Sequence, residues 1–153
     1  MITLDHFDRK ILDALQKDGR LTSQQLAETT ALSASQCARR RQRLEQLGVI
    51  KGYTARVSKR RVGLAISAFI EVTLNNRDRS EIDSFSRLVE TNPSILDAYK
   101  LTGPTDCLLR VTVSNLDEMN YLISEVLVPH TAVASVQSHV VLEWLKEDGV
   151  LPI

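Results

Sequence analysis

Cysteine is scarce in this chain of 153 residues: Cys37 and Cys107 stand far apart and offer no metal-ligand spacing. They read as reduced, core or near-core thiols of a cytosolic protein. Long apolar runs are missing, and none approaches the roughly 20 residues needed to cross a bilayer. The opening stretch MITLDHFDRKIL lacks the basic-then-apolar order of a secretory leader. No phosphate-cradling loop occurs, and His6, His130 and His139 are scattered, with no Ser/His/Asp set to join them. No catalytic residue, metal site or cofactor is therefore expected. Net charge is missing too, because 19 Lys/Arg offset 19 Asp/Glu.

That neutrality conceals a split. Residues 1–63 carry 13 Lys/Arg and 6 Asp/Glu, whereas residues 64–153 carry 6 and 13. Nine of the basic residues fall between Arg39 and Arg61, against one acid, Glu45. A charge asymmetry of this size suggests a polyanion partner for the first segment only.

The first segment reads as three helices. Asp5 caps the first, with Asp8 in its opening turn and Phe7, Ile11, Leu12 and Leu15 forming an apolar stripe. Gly19 stops it. Thr22 with Gln25 forms a capping box for a short second helix carrying Leu26 and Ala27. After the turn at residues 31–33, Ser33 with Gln36 opens a third helix that ends at Gly48. Two helices joined by so short a turn make a helix-turn-helix. In the third helix Cys37, Leu44 and Leu47 share a face that can pack inward, and Ser35, Gln36, Arg39, Arg40 and Arg43 mostly face elsewhere. The N-terminal part of such a helix can enter the major groove and read base edges, while later arginines meet phosphates. The candidate DNA contacts are Thr22, Ser33, Ser35, Gln36, Arg39, Arg40 and Arg43. Alternating β-formers around Gly52 suggest a small wing or linking strand, and Ser58-Lys59-Arg60-Arg61 a basic hinge.

From Leu64 to Leu74 every second residue is apolar, the pattern of a half-buried strand. A helix capped by Ser80 and Asp83 carries Ile82, Phe85, Leu88 and Val89 and ends at Pro93. Strands follow at Ile95 to Leu101 and Cys107 to Val113. Asn115 with Glu118 then caps a helix that buries Leu116, Met119, Leu122, Ile123, Val126 and Leu127, and Val133 to Leu145 is a last strand. The order βαββαβ is that of a ferredoxin-like α+β domain with helices on one sheet face. Phe69 among small residues on the other face suits sheet-to-sheet dimerisation. The expected division is a winged helix-turn-helix DNA-binding domain at 1–55, a linker at 56–63, and an effector-binding and oligomerisation domain at 64–153.

Leu4-Asp5, Asp8-Arg9, Ile11-Leu12, Gly19-Arg20, Leu26-Ala27, Leu32-Ser33, Arg40, Arg43-Leu44-Glu45, Gly48-Val49-Ile50 and Gly52-Tyr53 together resemble the N-terminal signature of the Lrp/AsnC (leucine-responsive/asparagine-synthetase) regulators. Gly103-Pro104-Thr105-Asp106 followed by Cys107-Leu108-Leu109 resembles that family's effector turn. The resemblance covers nearly the whole chain. It implies a cytoplasmic regulator that binds double-stranded DNA as a homodimer, commonly assembled into tetramers or octamers. It also implies a small effector, an amino acid in many members, held between sensing domains of neighbouring dimers. Arg40 and Arg43 match the motif arginines, and Gly103 and Asp106 match the turn. Three departures stand out: Ala31 where Gly is usual, Arg41 at a usually apolar position, and the pair Pro104-Thr105. The resemblance also touches sirohaem decarboxylases, which make an enzyme of a similar two-part fold; the cationic third helix favours DNA.

The turn has its own chemistry. Asp106 can hold an ammonium by a charge-assisted hydrogen bond. Backbone N–H groups near Gly103 can meet a carboxylate. Thr105 and Ser138 offer hydroxyls, and Leu116 an apolar wall. The alternative is that Asp106 simply stabilises its turn.

Overall fold

The computed structural model describes residues 2–75 and 78–153. By packing, the chain forms two units: Met1–Arg56 together with Leu145–Ile153, and Val57–Trp144. The expected boundaries put the last nine residues with the sensing domain. The structure instead packs them against the first unit, where the Gln16 side-chain amide exchanges two hydrogen bonds with the backbone of Leu151, at 2.7 and 3.2 Å, and Arg56 pairs with Asp148.

The first unit holds α1 (His6–Lys17), α2 (Ser23–Thr30) and α3 (Ala34–Gln46). Each begins with a reciprocal cap: Asp5 with Asp8, Thr22 with Gln25, and Ser33 with Gln36. These satisfy N–H groups that a helix start otherwise leaves without partners. Ile11, Leu12, Leu15, Leu26, Cys37 and Leu44 form the core of this unit. Leu47 is not part of it. It is 42% exposed, because α3 ends at a left-handed Gly48 (φ 68°), whose turn brings Val49 and Ile50 to the core instead. The segment after Ile50 forms no strand among the described residues up to Ser58, where a small wing or linking strand was expected. Its residues bond through side chains instead, as shown below for Tyr53.

Ala31 ends α2 in the left-handed region, at φ 59° and ψ 31°. A side chain there is strained by roughly 1–2 kcal/mol, part of which glycine forfeits through its greater freedom when unfolded. Ala31→Gly should therefore raise the stability of this unit by about 0.5–1 kcal/mol, read as an upward shift in its denaturation midpoint. An unchanged or lowered midpoint would mean the turn carries no strain.

The second unit opens with a short 3₁₀ turn, Lys59–Val62, where a hinge was expected. Then come β1 (Ile66–Leu74), α4 (Arg79–Thr91), β2 (Ile95–Lys100), β3 (Cys107–Val113), α5 (Leu116–Tyr121) running into a π-helical turn at Leu122–Leu127, and β4 (Val133–Val140). The sheet order is β2-β3-β1-β4, antiparallel throughout. Ala68, Ile70 and Val72 of β1 join Leu109, Val111 and Val113 of β3 on the covered face, where Phe85, Met119, Leu122 and Leu127 close the core.

Three local expectations shift. The cap of α4 is Asp78, whose carboxylate accepts the Ser80 N–H at 2.9 Å, rather than Ser80 with Asp83. β4 stops at Val140. Leu116, expected inside, is 65% exposed, because it is the first residue of α5, a turn ahead of the buried stripe that starts at Met119. On the open sheet face Phe69 meets Trp144 edge to face at 6.1 Å, and Lys59 Nζ lies 4.6 Å from the Trp144 ring centre.

Candidate functional site

Two surfaces gather the side chains singled out from the sequence. The first is α3 with the caps around it. Thr22, Ser33, Ser35, Gln36, Arg39 and Arg43 are all exposed. The Ser33–Gln36 cap uses Gln36 Oε1 as acceptor, at 3.0 Å from the Ser33 N–H, which leaves the amide NH₂ as a donor. Ser33 and Ser35 hydroxyls lie 3.0 Å apart.

The arginines of α3 divide into two kinds. Arg40 is only 23% exposed in its side chain, and its Nη1 donates to Asp5 Oδ2 at 2.7 Å and Asp8 Oδ1 at 2.8 Å. Its guanidinium also lies 5.4 Å from the Phe7 ring centre. Arg41 is stacked 4.6 Å over Tyr53 and donates to the Leu21 carbonyl at 2.9 Å and the Tyr53 hydroxyl at 2.8 Å. It therefore lies along the unit and ties Tyr53 to the segment before α2. Tyr53 in turn donates to Glu45 at 2.8 Å, and burial followed by that carboxylate pushes its phenol pKa up. Arg39 is exposed, and Arg43 is half-exposed with one contact, to Asp8 at 3.2 Å. The cationic face that α3 presents outward thus comes from Arg39 and Arg43.

Asp8 is the residue the sequence reading undervalued. It is 1% exposed, and its position beside Ile11, Leu12 and Leu15 puts a carboxylate on the apolar stripe of α1. A buried carboxylate must be paired, so that placement alone was a signal for basic partners elsewhere. Asp5, which both caps α1 and receives Arg40, has its pKa lowered, first by the Asp8 backbone N–H and then by Arg40. Arg40 is correspondingly raised by its two carboxylates.

The second surface is the turn between β2 and β3. The Leu101 N–H donates to the Asp106 carbonyl at 2.8 Å, and Gly103 sits at φ 133°, a conformation side chains disfavour. The turn is fastened to β1: Asp106 Oδ2 accepts the Leu74 N–H at 2.7 Å, and Thr105 donates to Glu71 at 3.0 Å. Glu71 also lies 3.5 Å from His139 Nε2. Gly103, Thr105 and Asp106 are therefore together. Ser138 is exposed two strands away, opposite Ile70, and Leu116 follows the far end of β3. Three of the five expected effector residues thus share the turn, and Leu116 and Ser138 stand on other elements. The Asp106 carboxylate ties the turn to the end of β1.

Residues 67–151 match the Lrp/AsnC ligand binding domain, and residues 4–51 match a winged helix-turn-helix DNA-binding domain. The chain belongs to the Lrp/AsnC family of transcription regulators. It is 35% identical over 150 residues to the glutamate uptake regulatory protein of Zymomonas mobilis, covering 98% of this chain and 91% of that one. It is 33% identical to the leucine-responsive regulatory protein of Escherichia coli, over 98% of this chain and 92% of the other. Among solved structures, a transcriptional regulator from Neisseria meningitidis in complex with L-methionine aligns with TM-score 0.94 and 37% identity, covering 98% and 97% of the two chains. The helix-turn-helix and the four-stranded sheet of this Lrp/AsnC protein are thus its DNA-binding and ligand-binding domains. Among its described residues no helix is long and apolar enough to cross a membrane, and no cluster of His, Cys, Asp or Glu could hold a metal ion.

Proposed function

We propose that this Lrp/AsnC regulator lays the exposed face of α3 in the major groove, with Ser33, Ser35 and Gln36 at base edges and Arg39 and Arg43 on phosphates, Thr22 flanking them. The observation that carries this reading is the outward cationic pair on a helix whose start is held by a reciprocal cap. The chain acts as a cytoplasmic homodimer presenting two such helices to half-sites spaced by whole helical turns. The half-buried Phe69 with Leu108 on the open sheet face supports pairing of two sheets. The role is regulatory rather than catalytic.

The effector is an amino acid, held at the turn around Gly103–Asp106 and completed by a neighbouring copy in a tetramer or octamer. The spread of Leu116 and Ser138 away from the turn supports a pocket shared between chains. The methionine complex of the Neisseria relative supports the ligand class.

The test is a titration of the full-length protein with a duplex that it selects from a randomised pool, repeated across salt concentrations. About six phosphate contacts would reduce affinity on the order of 10³-fold between 50 and 200 mM salt. Binding that stays flat as salt rises would remove the DNA reading.

A further inference from the structure

Resting on the DNA-binding reading above, we infer that Arg40 is a positioning residue, which fixes the seat of α3 on α1 through Asp5 and Asp8, and that the phosphate contact belongs to Arg43. The sequence gives the two arginines the same standing, since both lie on the cationic helix. Their surroundings separate them. Arg40 donates from one nitrogen to two carboxylates at 2.7 and 2.8 Å, and one of those carboxylates, Asp8, is 1% exposed. A charged group held this way would have to break two charge-assisted hydrogen bonds and leave the buried Asp8 with only its longer contact to Arg43 before reaching DNA. Arg43 has one longer contact, 3.2 Å, to the other oxygen of Asp8, and its side chain is 49% exposed. Releasing it leaves Asp8 still neutralised by Arg40.

The cluster also has a mechanical consequence. Asp5 and Asp8 sit in the opening turn of α1 and fix each other there: the Asp8 N–H donates to Asp5 Oδ1 at 2.8 Å, and the Asp5 N–H to Asp8 Oδ2 at 3.3 Å. Arg40 lies midway along α3. One guanidinium thus ties the middle of the recognition helix to the capped opening turn of α1, and fixes the rotation of α3 about its own axis. That rotation decides which side chains face the groove.

The experiment uses the full-length protein and the duplex selected by the wild type. Asp8→Asn removes a negative charge near DNA, so electrostatics alone would tighten binding. Under the positioning role it should weaken binding roughly 10–100-fold, the equivalent of one lost charged hydrogen bond. Asp5→Asn keeps an equally good helix cap, so the unit stays folded, and it too should weaken binding, by less. Arg40→Gln should lower affinity while leaving the dependence of log Kd on log salt at the wild-type slope. Arg43→Gln should reduce that slope by about 0.9, the share of one phosphate. The double variant Arg40→Gln/Asp8→Asn should lose little more than the worse single one, since the two act through each other.

Equal or tighter binding by both aspartate variants would overturn the inference. So would a slope reduced in Arg40→Gln, or losses that simply add in the double variant. Salt-independent binding by the wild type would instead remove the DNA reading on which the inference rests.

Discussion

Leu44→Ala should melt the helix-turn-helix unit well below the sensing unit, splitting thermal unfolding into two transitions. Leu44 is fully buried, and it belongs to a core of six buried apolar residues built from all three helices. Removing a buried leucine side chain costs about 2–5 kcal/mol, through lost transfer energy and the cavity left behind. A unit of this size has little surplus stability to absorb that loss. At about 4–8 °C per kcal/mol for small domains, its midpoint should fall by on the order of 10–30 °C. The sheet core around Ile70, Leu109 and Val111 shares none of these residues, so its transition should stay in place. DNA binding should vanish while any ligand-induced stabilisation of the sensing unit survives. Differential scanning calorimetry of the full chain reads both effects. One transition displaced as a whole would show that the two units unfold as a single cooperative body.

The reciprocal caps of α1, α2 and α3 were legible in the sequence because their signals are local, although that of α4 was misplaced by two residues. Ser33 and Gln36 need only each other and one turn of backbone, and the cap forms as read. The strand β3 was legible from Cys107 to Val113 for a similar reason, with turn residues before it and a helix cap after it. What was not legible depended on partners distant in sequence. Arg40 and Arg43 look alike until Asp8, some thirty positions earlier, is brought beneath them. Arg41 stands at a usually apolar position because Tyr53 supplies a ring for it to lie on. Leu116 and Leu47 have the right helical phase to be buried, but each sits at a helix end where no neighbouring element covers it. The effector site lies furthest from the sequence, because one turn gathers Gly103, Thr105 and Asp106 while Leu116 and Ser138 stand on other elements.

Asp106→Ala and Asp106→Asn should separate the two duties that converge on the turn. The carboxylate accepts the Leu74 N–H at 2.7 Å, where β1 passes an irregularity in its pairing with β4. Alanine leaves that half-buried donor without an acceptor, which costs about 1–3 kcal/mol of stability in the sensing unit. Asparagine keeps an acceptor oxygen and should leave the melting temperature close to wild type. The charge, however, is lost in both. If Asp106 holds the ammonium of an amino acid, that contact is charge-assisted, and its loss should weaken binding roughly 10–100-fold. A thermal-shift screen of the wild type against the twenty amino acids supplies the reference. A specific ligand at 100 times its Kd stabilises the folded state by about 2.7 kcal/mol. Asp106→Asn should lose most of that upward shift at the same ligand concentration while its unliganded midpoint is retained. A full shift in Asp106→Asn, with destabilisation confined to Asp106→Ala, would make Asp106 a fastening of the turn and place the ammonium contact on another group. Glu71 is the carboxylate to substitute next in that event, since it already bonds Thr105 and faces His139 beside the same turn.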